Sequence, residues 1–515
     1  MKHDRRNFLK GVTVSSLAAT GLGPQLSRKG KTAKSGVPGF KYKVGYLWLP
    51  QMSSRPFKSV FSSELDDQLI EDYRRYLPRV REAGFDYIVI FGLLGEGDPN
   101  QVPADLSQGF SPQRERQIHQ MIDLIHQAGL KFLNGLGVYS WGFKNIIAAH
   151  PEVAARKYKF RGIDTYIRRS NAVLIGEYDR LDEGEIKADP DIMCATKEAS
   201  WKWQEQVVRF FLNRYDLDGF HMESADRGRC WCPQCRKIDN IAYHARINER
   251  TTRLIKQLAP DKVVGISTCG LVLEGLRDLP ALRQMARGAD YLADYNEYHF
   301  THDPLKANRQ QVWFNDRPAV AREVGPLAFG TMIHLRDAGL DRLTWFTPAP
   351  QTIVMIIGNA YRDGCRALEY YAMGAFNNPG HELNNYVAGH ALSHPDQNWH
   401  EVLEAVVDRL YRPRSAKARK DLVELFRNAE MSCLANDIAF NMVHKVTAPV
   451  PYLYDVIPYK QLRHQKELEN HLKEGRRLEP LLGDKERAQR LVKCLEGTIA
   501  TLQQHLRKTL EGFSS

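Results

Sequence analysis

The chain has 515 residues, 43% of them hydrophobic and 26% charged, with a formal net charge of +11. Such a length fits one large domain with a smaller one, or several small ones, and excludes a small scaffold held together by disulfides. Eight of the 72 basic residues fall within residues 1–34 against a single Asp, so the remainder carries only +4; without a dense basic patch interleaved with aromatics, nucleic acid is not expected as a partner.

The first 34 residues stand apart. Asp4-Arg5-Arg6-Asn7-Phe8-Leu9-Lys10 lies in a basic stretch and precedes a weakly apolar run, Gly11–Gly23. That run is too short and too rich in Gly, Ser and Thr for a membrane span, which needs about 20 apolar residues. In order and composition the segment resembles a twin-arginine export signal, to be set aside before the fold is read. The resemblance implies a partnership with the twin-arginine translocase, a periplasmic or secreted location, and no stable membrane anchor after processing.

Beyond the linker, short apolar runs alternate with amphipathic stretches. Strands are expected at 43–49, 86–91, 131–138, 219–223, 263–268, 291–295, 343–346 and 367–371. The intervening helices are expected at 64–83, 112–128, 197–215, 242–258, 280–287, 320–338 and 352–361, with a long insertion over 143–193. Eight β/α units predict a (β/α)8 TIM barrel over residues 40–390. No strand is followed by G-x-G-x-x-G, which argues against a dinucleotide-binding sheet. From about Asn398 the helical period dominates, with charged faces that read as solvated. An all-helical C-terminal domain is expected over 396–515.

In such a barrel chemistry sits at the C-terminal strand ends. The fourth predicted strand is the most informative. Its sequence, Gly219-Phe220-His221-Met222-Glu223, puts His221 and Glu223 on one face and Phe220 and Met222 on the other. If the apolar face meets the helices, His221 and Glu223 point into the barrel, where a carboxylate is costly unless paired or used. Asp226 follows on the same loop. Other strand ends supply Asp294, Tyr295 and Glu297, then Glu369; Trp141, Tyr295 and Trp345 are aromatics able to stack on sugar rings. Carboxylates with aromatic platforms suit glycoside cleavage by acid, base or nucleophile catalysis. A glycan-binding protein without catalysis, and a metal-dependent hydrolase or lyase using His299, His302 and Asp303, are the alternatives.

Met193-Cys194-Ala195-Thr196, the Leu217–Glu223 stretch and Cys230-Trp231-Cys232-Pro233-Gln234-Cys235 together resemble the central part of bacterial glycoside hydrolases distantly similar to family 20 hexosaminidases and α-glucuronidases. The resemblance, over about residues 40–390, implies a carbohydrate substrate and places Glu223 at the position of a general acid. Met222 stands where family 20 has the Asp of its Asp-Glu pair, so the substrate-assisted mechanism does not carry over. The second carboxylate is expected to be Asp294, then Glu369 or Glu297, with His221, Asp226, Trp141, Tyr295 and Trp345 contacting substrate.

Eight cysteines occur, three of them within Cys230–Cys235. With Cys194, the C-x-C-x2-C cluster of Cys230, Cys232 and Cys235 suits a tetrahedral structural Zn2+; one or two disulfides, or free buried thiols, are the alternatives. A closed four-cysteine site would fix the loop bearing Glu223 and Asp226 and leave no open position for catalysis, so no catalytic cofactor is expected.

Overall fold

The computed structural model describes residues 38–55, 57, 62–96, 101–158, 186–225, 228–271, 273, 275–294, 315–324, 328–333, 346–371, 373, 376–436 and 458–511. The signal-like segment and linker, Asp226, Tyr295, Glu297, His299, His302, Asp303 and Trp345 lie outside the described residues. Among the described residues, no helix is long and apolar enough to cross a membrane.

Strand β1 (Tyr42–Trp48) alternates Tyr42, Val44, Tyr46 and Trp48 on one face, and these pack with Val89, Phe91, Leu133 and Tyr291 inside a closed barrel. β2 (Tyr87–Phe91) and β3 (Lys131–Gly137) follow. Next come an antiparallel ribbon of β4 (Ala154–Tyr158) and β5 (Ile186–Met193), then β6 (Gly219–Glu223), β7 (Val263–Ser267), β8 (Tyr291–Asp294), β9 (Ala328–Ile333) and β10 (Ala367–Tyr370). The barrel order is β1-β2-β3-β6-β7-β8-β9-β10, closing back onto β1 with every pairing parallel. This is the predicted (β/α)8 barrel, with the ribbon occupying the predicted insertion.

The helices start and stop where local chemistry dictates. Helix Asp67–Ala83 begins at Asp66, whose carboxylate accepts from the Leu69 N–H, and ends at Gly84 with φ 117°. A side chain there would be strained and would also meet the Gly389 carbonyl at 2.9 Å. One predicted unit is corrected. Within the expected helix over 320–338 the described residues are helical only to 324 and form strand β9 at Ala328–Ile333, while residues 343–345 of the expected strand over 343–346 lie outside the described residues. Periodicity does not separate a short buried strand from a helical segment, and the breaking signal was Gly325-Pro326, which cannot continue a helix.

After β10, among the described residues, five α-helices follow: Pro379–Ser393, Trp399–Tyr411, Ala416–Ala435, Pro458–Leu478 and Lys485–Glu511. They belong with the barrel to one compact unit, Val37–Ser515. Two carboxylates make that union specific. Helix Pro350–Arg362 has no capping side chain of its own. Glu430, on helix Ala416–Ala435, supplies the cap by accepting from the Gln351 and Thr352 N–H groups, 2.8 Å each, and from the Thr352 hydroxyl at 2.6 Å. Glu382, 1% exposed, is held by Arg487 and Arg490 at 3.0 Å and lies 3.6 Å from Arg79 of the first barrel helix.

Removing one partner of a buried ion cluster strands the others, so Glu382→Ala is expected to cost about 3–5 kcal/mol. Urea unfolding with the melting of barrel and C-terminal helices followed together checks this. A loss below about 1 kcal/mol, the range of a surface ion pair, would remove Glu382 from its bracing role.

Candidate active site

Phe220 and Met222 of β6 lie in the apolar layer between barrel and helices, so His221 and Glu223 face the barrel interior, His221 fully buried and Glu223 4% exposed. Glu223 ends the strand, at the barrel face that carries chemistry in this architecture. The neighbouring strands make room. His221 is flanked in register by Gly135 of β3 and Gly265 of β7. A methyl at Gly135 would meet the Phe91 ring at 2.6 Å, and one at Gly265 would meet the Tyr291 ring at 2.1 Å. Both rings therefore reach across glycine to enclose the imidazole, with Phe91 edge-on to it at 5.7 Å.

Five polar groups then form a chain. Tyr291 donates its hydroxyl to Glu369 Oε1 at 2.7 Å, and His221 Nδ1 meets the same oxygen at 2.7 Å. On the other side of the ring, Nε2 lies 3.2 Å from Glu223 Oε1, which also accepts the Tyr46 hydroxyl at 3.1 Å. Glu369 is fully buried, and its Oε2 has no partner among the described residues.

With a carboxylate at each ring nitrogen, both N–H groups are donors and the ring is an imidazolium. Burial by itself pushes the His221 pKa down, but the charge of Glu369 and the hydrogen bonds to Glu223 and Glu369 outweigh it and raise the pKa to about 9. Two donors thus converge on Glu223 Oε1, the Tyr46 hydroxyl and the charged ring of His221.

Aromatic rings cluster around Tyr46, the donor to Glu223. Trp48 packs 5.0 Å from Phe91 and 5.8 Å from Trp141, and donates its indole N–H to the Tyr371 hydroxyl at 2.5 Å. Tyr371 lies 4.6 Å from Tyr46. Tyr139, just past β3, has φ 58°, a conformation costing about 1–3 kcal/mol in a non-glycine residue. Its N–H donates to Gln204 and its carbonyl accepts from Met193, which hold the turn that brings Trp141 back to the barrel interior.

Of the predicted residues, Glu223, His221 and Glu369 come together directly, and Trp141 joins the same end of the barrel. Asp294 is fully buried but alternates with Tyr291 and Ala293, the inward residues of β8, and so falls on the side of Leu292, which packs toward the helices. Tyr46 and Tyr291 were not anticipated. The signal was the period-2 row of Tyr42, Tyr46 and Trp48 along β1, which marks one aromatic face directed at a shared interior.

No family model matches the chain, and no curated protein matches it in sequence. Among solved structures its fold is similar to that of a GH138 enzyme targeting pectin rhamnogalacturonan II, with a TM-score of 0.53 and 9% identity over 91% of this chain and 59% of that one. The chain thus spans about three fifths of that enzyme's length. A Thermobaculum terrenum O-GlcNAc hydrolase mutant matches at TM-score 0.46 and 10% identity, over 91% of this chain and 84% of its own. A family 20 β-N-acetylglucosaminidase matches at 0.36 and 10%, over 68% and 70%. The barrel is shared with a glycoside hydrolase.

A histidine whose pKa is raised on folding stabilises the fold fully below its unfolded value, near 6.5, and that stability is lost as pH rises through the folded value. From pH 6.5 to just above 9, wild-type unfolding free energy is expected to fall by up to about 3 kcal/mol through His221. Denaturant titrations across that range, compared with His221→Gln, check the slope. Identical slopes would mean that His221 is not the titrating group.

Proposed function

We propose that the protein is an exported glycoside hydrolase that cleaves glycosidic bonds of an oligo- or polysaccharide at the C-terminal end of its barrel, with Glu223 as the reacting carboxylate. The observation that carries the reading is one oxygen of Glu223 held at once by the Tyr46 hydroxyl and the His221 imidazolium, at the end of β6. The barrel shared with a GH138 enzyme supports the reaction class, and the N-terminal resemblance to a twin-arginine signal supports export.

Sequence resemblance gives Glu223 the part of a proton donor. Its surroundings favour a different one. A carboxylate that accepts from two donors, one of them charged, serves as nucleophile or base, and its negative charge stabilises the positive charge of an oxocarbenium-like transition state. Glu369 and Tyr291 are positioning residues: they fix the ring of His221 and keep it charged. Trp48 and Trp141 form an apolar wall against which a sugar ring stacks. Glu369 is engaged by His221 and Asp294 lies on the helix side of β8; of the expected second carboxylates Glu297 is the third, and it lies outside the described residues.

The two roles for Glu223 separate by leaving group. An enzyme without its acid still cleaves glycosides whose leaving group needs no proton, whereas one without its nucleophile or base cleaves neither kind. Glu223→Gln is expected to lose about 10²–10⁴-fold in kcat/KM on both dinitrophenyl glycosides and natural oligosaccharides, screened as a panel. Activity that survives on both would remove Glu223 from the reaction, and survival on the dinitrophenyl substrates alone would return it to the proton-donor role.

A further inference from the structure

Four cysteines from separate parts of the chain meet beside the segment that carries Glu223. Cys194 directly follows β5; Cys230, Cys232 and Cys235 lie on the stretch after β6, the first of them seven residues beyond Glu223. All four are buried, and their sulfur atoms lie within 4.8 Å of one another. Cys194 Sγ is 3.8 Å from both Cys232 Sγ and Cys235 Sγ. A tetrahedron with metal–sulfur bonds of about 2.3 Å has sulfur–sulfur edges of about 3.8 Å, so the observed spacing is that of a tetrathiolate cage.

The surroundings are arranged for negatively charged sulfur. The Arg156 N–H donates to Cys230 Sγ at 3.3 Å and the Cys235 N–H to Cys232 Sγ at 3.4 Å, while the Thr196 hydroxyl lies 3.2 Å from Cys194 Sγ. Arg229 gives an independent indication. It is 2% exposed, donates only to the carbonyls of Cys235 and Ile238, and lies over the rings of Trp231 and Tyr243. Among the described residues it forms no ion pair with a carboxylate, and the charges that act on it include those of Cys235, Cys230 and Asp239. A buried guanidinium without a counter-charge is costly. Four thiolates around a divalent cation carry a charge of −2 and place the larger counter-charge directly beside it.

We propose that Cys194, Cys230, Cys232 and Cys235 bind one Zn2+ in a closed, structural tetrathiolate site. Soft thiolates select zinc over hard cations, and four protein ligands leave no position for water or substrate. The ion ties the exit of β5 to the segment that leaves β6. The same segment is already drawn to the ribbon by Trp231 N–H donating to the Arg156 carbonyl at 2.7 Å, and Cys194 N–H donates to the Val153 carbonyl at 2.9 Å. The metal therefore fixes the backbone immediately beyond Glu223 without touching the reaction.

The full chain purified without chelators is expected to contain about one zinc per molecule by elemental analysis, released in step with the titration of four thiols by a mercurial. Protein produced in cobalt-supplemented medium is expected to show the intense visible bands of tetrahedral tetrathiolate Co2+. Cys232→Ser is expected to lose the zinc and the cobalt spectrum and to melt lower, whereas Cys365→Ser, at a buried cysteine outside the cluster, keeps the metal. If Cys232→Ser does not fold, the wild-type stoichiometry and cobalt spectrum decide the matter. Native protein that contains no zinc, holds iron in its place, or shows disulfides among these four cysteines by mass spectrometry would overturn the proposal. None of these measurements depends on glycosidase activity.

Discussion

Three ionisable side chains, Glu369, His221 and Glu223, share the interior of a barrel that excludes nearly all water from them. Each ion loses several kcal/mol of hydration on entering such a site. Two charge pairs at about 4 Å return about 4 kcal/mol each at an effective dielectric constant near 20, so the row holds as a set and fails when one member is removed. Much else follows from keeping that row dry and aligned. Gly135 and Gly265 give way so that Phe91 and Tyr291 can enclose the imidazole. Tyr46 and Tyr291 then place one hydroxyl on each carboxylate. One carboxylate, Glu223, is left at the end of its strand, held by Tyr46 and His221.

The barrel does not carry this arrangement unaided. Glu430 caps a barrel helix from outside the barrel, and Glu382 gathers arginines from both the first barrel helix and the last helix of the chain. The proposed metal site joins the ribbon after β3 to the segment after β6.

The sequence made some of this legible and hid the rest for identifiable reasons. β6 carries polar and apolar residues in strict alternation, so the inward direction of His221 and Glu223 could be read from five letters. β8 has no such contrast: Tyr291, Leu292 and Ala293 are all apolar, and nothing local reveals that Asp294 falls on the helix side. The contacts of Tyr46 with Glu223 and of Tyr291 with Glu369 span 177 and 78 positions. They depend on which strands close the barrel and in what register, which no local pattern records. The seventh β/α unit was misplaced because a six-residue strand inside an apolar stretch also fits a helical period. The cysteine cluster was visible from spacing alone, but the burial of Arg229 beside it required the fold.

The central claim is that His221 is a buried imidazolium at neutral pH. Nitrogen-15 NMR of histidine-labelled protein, with the His221 ring assigned by its loss in His221→Gln, tests it directly. The account predicts that both ring nitrogens carry protons at pH 7 and that the ring titrates near pH 9. A ring already neutral at pH 7, or one titrating near 6.5, would contradict the charge balance around Glu223 and the role derived from it.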